Sequence, residues 1–326
     1  MSSKANNHIL GMLATGAVLA VAPFFLGSAY YQHILVLWGI YAVLALSLNI
    51  IVGYLGELSF GHTAFFGMGA YASAILTMRY GVPVILGPLF AALIAGLIGM
   101  AVGYLSLRST GPQFAILTLS FGSILYTIVN YWVDFTRGPM GLVNIPRFTL
   151  PGLQLDFSKA VNMYFVVLFV VALTVFGCHA LMRSHSGRSF LAVRENPALA
   201  ASLGINIFRT KLAGFTAATA LAGAAGSLYA HYLTVITPDL MGLQSMAAVI
   251  IMVIIGGKGT LIGPLVGALV YVCLLEVLRA TGALRMVSFA ALMTLCVVFL
   301  PGGLVSIWRN FRNGRAAKPT ALSAQP

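Results

Sequence analysis

Long apolar runs separated by short polar connections make up most of the chain. A helix needs about 20 apolar residues to cross the hydrocarbon core of a bilayer, roughly 30 Å. Ten runs approach that length: 9–28, 33–53, 58–78, 82–105, 112–133, 161–182, 212–231, 244–256, 262–279 and 285–300. Segment 58–78 is rich in glycine and reads as a broken or re-entrant helix as readily as a span. Segment 244–256 is short enough to be a half-helix. The pattern predicts an all-α membrane protein, a polytopic bundle of about eight to ten transmembrane helices over residues 1–308. A basic, then small and polar tail follows over 309–326, with the composition of a disordered segment. The first run has the outline of a signal peptide, with Lys4 ahead of it and Gly27-Ser28-Ala29 as a weak cleavage site. It is longer than the usual apolar stretch of about 7–15 residues and contains Pro23, so it is expected to stay as the first helix.

Finer patterning gives some helices a job. Gly87, Ala91, Ala95, Gly99 and Gly103 recur every fourth position, as do Gly214, Ala218, Ala222, Gly226 and Ala230. Such stripes let helix backbones approach closely in lipid, so both predict tight helix contacts. Segment 112–133 instead carries Ser120, Ser123, Thr127 and Asn130 along one face. These groups either bond across helices or line a weakly polar passage for a zwitterion.

Composition and charge then fix the environment. Hydrophobic residues make up 60% of the 326 and charged residues 7%, too few to cover a water-facing surface. The net charge of +12 sits between apolar runs and at the tail, without the interleaved aromatics of a nucleic-acid surface. Ten spans put both termini on one side together with twelve of the 18 Lys and Arg residues, which makes that side cytoplasmic. Loop 183–211 alone supplies five of the twelve: Arg183, Arg188, Arg194, Arg209 and Lys211. The opposite connection, 134–160, is rich in proline and glycine and reads as a turn-rich external loop.

Chemistry is sparse. The six acidic residues avoid the middle of the predicted spans, where ion-coupled carriers bury ionisable groups. Glu276 and Arg279 are spaced to pair on one helix face. The histidines lack metal-pair spacing, although His62 sits in the notable run Ser59-Phe60-Gly61-His62. Cys178, Cys273 and Cys296 read as small apolar side chains, with no disulfide or metal spacing. Gly256-Gly257-Lys258-Gly259-Thr260 imitates a phosphate-binding loop, but Gly259 separates the lysine from the threonine and Met252 replaces the first glycine. No catalytic, metal or cofactor site is expected, and ATP hydrolysis by this chain is not.

Within loop 183–211, Asn196 suits a helix cap, Pro197 a first helical position and Gly204 a left-handed stop. The stretch 187–206 is therefore expected to hold a short helix, a suitable lever for a partner protein.

That loop, with Arg194-Glu195-Asn196, Ala200-Ala201 and Gly204-Ile205-Asn206, resembles the cytoplasmic loop of LivM-type permeases of branched-chain amino-acid importers. Further motifs agree over about residues 35–305. Leu48 to Tyr71 is similar to the family's glycine-rich early signature. Arg108-Ser109-Thr110-Gly111-Pro112-Gln113-Phe114-Ala115, Thr136-Arg137-Gly138-Pro139-Met140-Gly141-Leu142, Gly256 to Pro264 and Leu300-Pro301-Gly302-Gly303-Leu304 resemble four more of its segments. Arg137 departs from the pattern, standing where glycine is frequent, and Lys258 adds a charge.

The resemblance implies an ABC importer permease fold in the bacterial inner membrane, forming one half of a pore. A paralogous LivH-type permease, two ABC ATPase subunits that use ATP and an external substrate-binding protein complete such an importer. Nucleic acid is not an expected partner. Leucine, isoleucine and valine are the implied cargo. Related permeases carry urea or short amides, which stays open, and a stand-alone carrier or channel is the rival from another class. The implied ATPase-coupling residues are Arg194, Glu195, Asn196, Pro197, Ala201 and Gly204. Ser120, Ser123, Thr127 and Asn130 are pathway candidates, and Arg137, Gly138 and Arg147 are placed near the docked binding protein.

Overall fold

The computed structural model describes residues 23, 27–149, 157, 159–279, 287, 291, 294 and 303–306. The predicted first and last spans and the tail fall largely outside these residues. Ten helices organise what is described: α1 (Ala29–Asn49), α2 (His62–Tyr80), α3 (Gly87–Ser106), α4 (Pro112–Tyr131) and α5 (Ala160–Arg183), then α6 (His185–Glu195), α7 (Pro197–Ser202), α8 (Ile207–Leu233), α9 (Leu243–Gly256) and α10 (Ile262–Val277). Five helical stretches among the described residues are long and apolar enough to cross a membrane: Ala29–Leu55, Val84–Ser106, Pro112–Tyr131, Ala160–Arg183 and Ile207–Leu233.

Helices α1 and α8 form the centre. α8 packs most heavily on α3 and α2, while α1 lies against α5, α10 and α8. Both small-residue stripes are contact faces, as expected. A Cβ added at Gly99 meets the Thr219 side chain, and one added at Gly103 meets Phe215. The second stripe turns the other way. Gly226 lies against the backbone of Phe66 on α2, and Gly214 against Leu55 and Phe190. Gly223, outside either stripe, is the crossing point, touching Gly69 of α2 and Ala91 and Ala95 of α3. α8 is thus wedged between two helices through small residues on two faces, and van der Waals contact between backbones supplies the attraction.

The glycine-rich segment 58–78 corrects the expectation of a break. α2 runs unbroken for 19 residues from His62, and its glycines mark helix contacts. α9 keeps its predicted brevity and α10 is shorter than the expected span 262–279; they reach only about 21 and 24 Å at about 1.5 Å per residue. They form a hairpin in which Gly256, Gly263 and Gly267 bring the two backbones together. The imitation of a phosphate loop is the turn of this hairpin.

Loop 134–160 is turn-rich as predicted, where described. A single helical turn (Val133–Thr136) leads to a 3-10 turn (Gly138–Met140) and a two-residue strand β1 (Leu142–Val143). β1 pairs antiparallel with β2 (Val235–Ile236), tying this loop to the α8–α9 connection. Arg137 has φ 61°, in the left-handed region that glycine favours, which accounts for glycine being frequent at this place in the resembled pattern.

Candidate coupling face and translocation helix

One end of the bundle gathers three connections and a helix pair. α1 does not stop at Asn49 but widens into a π-helical run, Ile50–Leu55, ended by Gly56 at φ 76°. Beyond it, α6 and α7 fold as two short helices around Asn196. The extended backbone of Asn196 breaks the helix, and its Oδ1 accepts from the Leu199 N–H at 3.0 Å to cap α7. Gly204 ends the pair at φ 82°, the left-handed stop expected there. Ser184 caps α6 and Asn206 caps α8 in the same way.

α6 is fixed to the bundle by its buried face, with Phe190 against Gly214, and by Arg194. The Arg194 guanidinium donates to the Gly53 carbonyl at 2.5 Å, and its aliphatic stem lies against Gly56. Glu195, Asn196, Pro197, Ala201 and Gly204 are exposed. So are two large apolar residues beside them, Leu199 at 59% and Leu203 at 73%. Arg194 therefore ties α6 to the bundle, and the other five predicted coupling residues face outward.

The strongest interaction at this end was not legible as a pair in the sequence. Lys211 Nζ lies 2.5 Å from Glu57 Oε1, with both side chains buried. The other Glu57 oxygen accepts from the Gly111 N–H at 3.3 Å, so one carboxylate links the π run, the α3–α4 turn and α8. Next to it, Asn49 donates to the Thr260 carbonyl at 2.9 Å and accepts from Gly259 N–H at 2.8 Å, clamping the α9–α10 turn. The available signal was two opposite charges, each abutting an apolar run on the same predicted side.

His62 is fully buried. Its Nε2 lies 2.8 Å from the Ser47 hydroxyl, joining α2 to α1 in the interior. A second interior network joins Ser73, Ser227 and His231, and His231 Nδ1 lies 2.7 Å from the Pro146 carbonyl.

The polar stripe of α4 faces out of the subunit. Ser120, Ser123 and Thr127 are exposed and Asn130 is half-buried. The Ser120 hydroxyl bonds back to the Ile116 carbonyl of its own helix at 3.0 Å, not across to a neighbour. The opposite face of α4 is the packed one. Gly122 touches Gly61, and Thr118 Oγ1 accepts from the Phe60 N–H at 3.1 Å.

At the far end of α4, Arg137 and Arg147 are exposed, whereas Gly138 is buried beneath the Asn130 carbonyl. Gly138 builds the turn: its N–H donates to the Thr136 hydroxyl, which itself donates to the Val129 carbonyl at 2.6 Å.

The family described as "Branched-chain amino acid transport system / permease component" matches this chain over residues 30–300. LivM, the high-affinity branched-chain amino acid transport system permease protein of Escherichia coli K12, is 32% identical over 323 residues, covering 92% of this chain and 76% of its own length. LivM of Salmonella typhimurium is 31% identical with the same coverage. The LivH permease of Salmonella typhimurium is 25% identical over 285 residues, 81% of this chain and 91% of its own. No solved structure matches. Apolar helices and permease relatives together make this an integral membrane protein. With the family matched across nearly all the described bundle, the chain belongs to the permease components of branched-chain amino acid transport systems.

Proposed function

We propose that the chain is one half of the pore of an ATP-driven importer for leucine, isoleucine and valine, lying in the bacterial inner membrane with both termini cytoplasmic. A LivH-type permease forms the other half, two ABC ATPases act on the coupling face, and an external binding protein delivers the cargo. The chain itself is non-catalytic and binds no cofactor. The observation that carries this reading is the helix pair α6–α7, outside the bundle yet bonded to it through Arg194. The pair presents Leu199 and Leu203 as an apolar knob ringed by Glu195, Asn196 and Ala201. A knob of this kind suits a groove on a partner, with the large apolar residues as anchors. Loop 183–211 also carries five of the 18 Lys and Arg residues, which supports placing it on the cytoplasmic side.

The outward polar stripe of α4 supports a pore at the boundary with the second permease. Uncharged hydroxyls can pass a zwitterion without holding it, whereas the same groups facing lipid would gain nothing. Arg137 and Arg147 at the far end are the groups offered to the binding protein.

Cross-linking tests the arrangement. Cysteine at Leu203 is expected to cross-link to an ATPase subunit and cysteine at Ser123 to the second permease, in the assembled complex lacking native cysteines. A Leu203 cysteine that reaches only the external binding protein would reverse the orientation, and a Ser123 cysteine that reaches only lipid probes would remove the stripe from the pore.

A further inference from the structure

Two cavities share one face of α8, the smaller bordered at its rim by the coupling candidate Gly204 and by Leu203. The larger, about 1070 Å³, is an open furrow between α3, α5 and α8. Phe165, Phe169, Leu173 and Leu181 of α5 line one wall, and Ala217, Ala220 and Ala224 of α8 another. Its wall hydroxyl, Thr174, is already bonded to the Val170 carbonyl at 2.8 Å, so a zwitterionic cargo finds little there. The smaller cavity, about 450 Å³, lies at the coupling end among His185, Ser186, Asn206, Arg209, Thr210 and Ala213. Thr210, Ala213, Ala217, Ala220 and Ala224 follow each other at spacings of three and four, which places them on one helix face. Leu181 of the furrow and His185 of the smaller cavity flank the α5–α6 junction. An apolar trough and a polar, basic mouth thus lie along one face of α8, the mouth beyond the trough at the end of α5.

We propose that trough and mouth form one site for an anionic phospholipid of the leaflet on the coupling side. The acyl chains lie along the alanine face of α8 and the furrow beside Gly177. The phosphate sits between the Arg209 and His185 side chains, at the positive end of the α8 dipole. Charge complementarity selects this occupant. Neither the Arg209 guanidinium nor the His185 imidazole has a hydrogen-bond or ion-pair partner among the described residues; the buried acid at this end, Glu57, holds Lys211. Basic pockets between spans on the cytoplasmic side recognise anionic headgroups for the same reason. A second protein helix would leave the basic mouth unneutralised. The site does not depend on the transport reading.

Gly177 makes the site testable, because a Cβ there meets nothing within 4 Å. Gly177→Phe can fill the furrow without disturbing a helix contact, and Gly177→Ala serves as the control. The full chain, extracted in mild detergent from membranes of phosphatidylglycerol and phosphatidylethanolamine, is weighed by native mass spectrometry. The wild type and Gly177→Ala are expected to keep a bound phospholipid enriched in phosphatidylglycerol. Gly177→Phe is expected to lose it at unchanged helicity. Arg209→Gln is expected to keep a lipid but lower the enrichment about fivefold, the effect of one basic residue near the surface. Equal retention in Gly177→Phe, no retained lipid in the wild type, or a headgroup ratio equal to that of the membrane would each overturn the proposal.

Discussion

Lys211 and Glu57 form a buried ion pair 2.5 Å apart, although 154 residues separate them in the chain. The pair sits where the π run of α1, the α3–α4 turn and the start of α8 meet, behind α6 and α7. Its geometry suits a joint that passes movement of α6–α7 into α1 and α8.

Removing one partner leaves the other charge buried and uncompensated, which costs about 3–5 kcal/mol. Lys211→Met is therefore expected to lower the unfolding temperature in detergent, and Glu57→Gln together with Lys211→Met to recover part of the loss. Thermal scans of both variants check this; a double variant no more stable than the single would show that the two groups do not act as a pair.

Arg194 binds the lever to the bundle through one charged hydrogen bond to Gly53, an interaction of about 1.5–3 kcal/mol. Arg194→Ala is expected to leave the chain inserted and assembled while reducing transport-coupled ATP hydrolysis. Glu195→Lys acts from the exposed side and is expected to uncouple hydrolysis from uptake with no change in stability. Both are read by the ratio of ATP hydrolysed to substrate accumulated, and an unchanged ratio in both would remove this loop from coupling.

Gly226 lies against the Phe66 backbone, so a methyl group there must push α8 from α2. Gly226→Ala is expected to destabilise by about 1–3 kcal/mol through overpacking. Gly177→Ala, in open space on a helix, is expected to stabilise by up to about 1 kcal/mol through helix propensity alone. Opposite shifts in unfolding temperature are the predicted outcome.

On α4, Ser123→Trp is expected to cut uptake more than tenfold with normal insertion and assembly. Ile128→Trp, an exposed apolar position well round the helix from the stripe, serves to compare. Equal loss in both, or in neither, would separate the stripe from the pathway.

Much of this was readable in the residues, for identifiable reasons. Lipid forces backbone groups to bond internally, so runs such as 161–182 translate directly into helices. The stripes from Gly87 to Gly103 and from Gly214 to Ala230 announce contact because small residues serve few other purposes in a span. Asn196, Pro197 and Gly204 mark a helix start and stop through local backbone chemistry, and the described α7 obeys them. What failed were long-range facts. Glycines suggested a broken segment 58–78, but Gly67 and Gly69 answer to Met241 and Gly223 across the bundle, which no local pattern contains. Glu57 and Lys211 each looked like a charge at a span end, and only the fold makes them partners. The burial of Gly138 beneath the Asn130 carbonyl, with its N–H on the Thr136 hydroxyl, is likewise absent from any local pattern.

The most direct measurement is uptake of labelled leucine into proteoliposomes containing this chain, with and without its partner permease, the ATPases, the binding protein and ATP. The expected result is accumulation only with all components present. Leucine accumulation by the chain alone, without ATP, would contradict the half-pore reading and make it a carrier or channel.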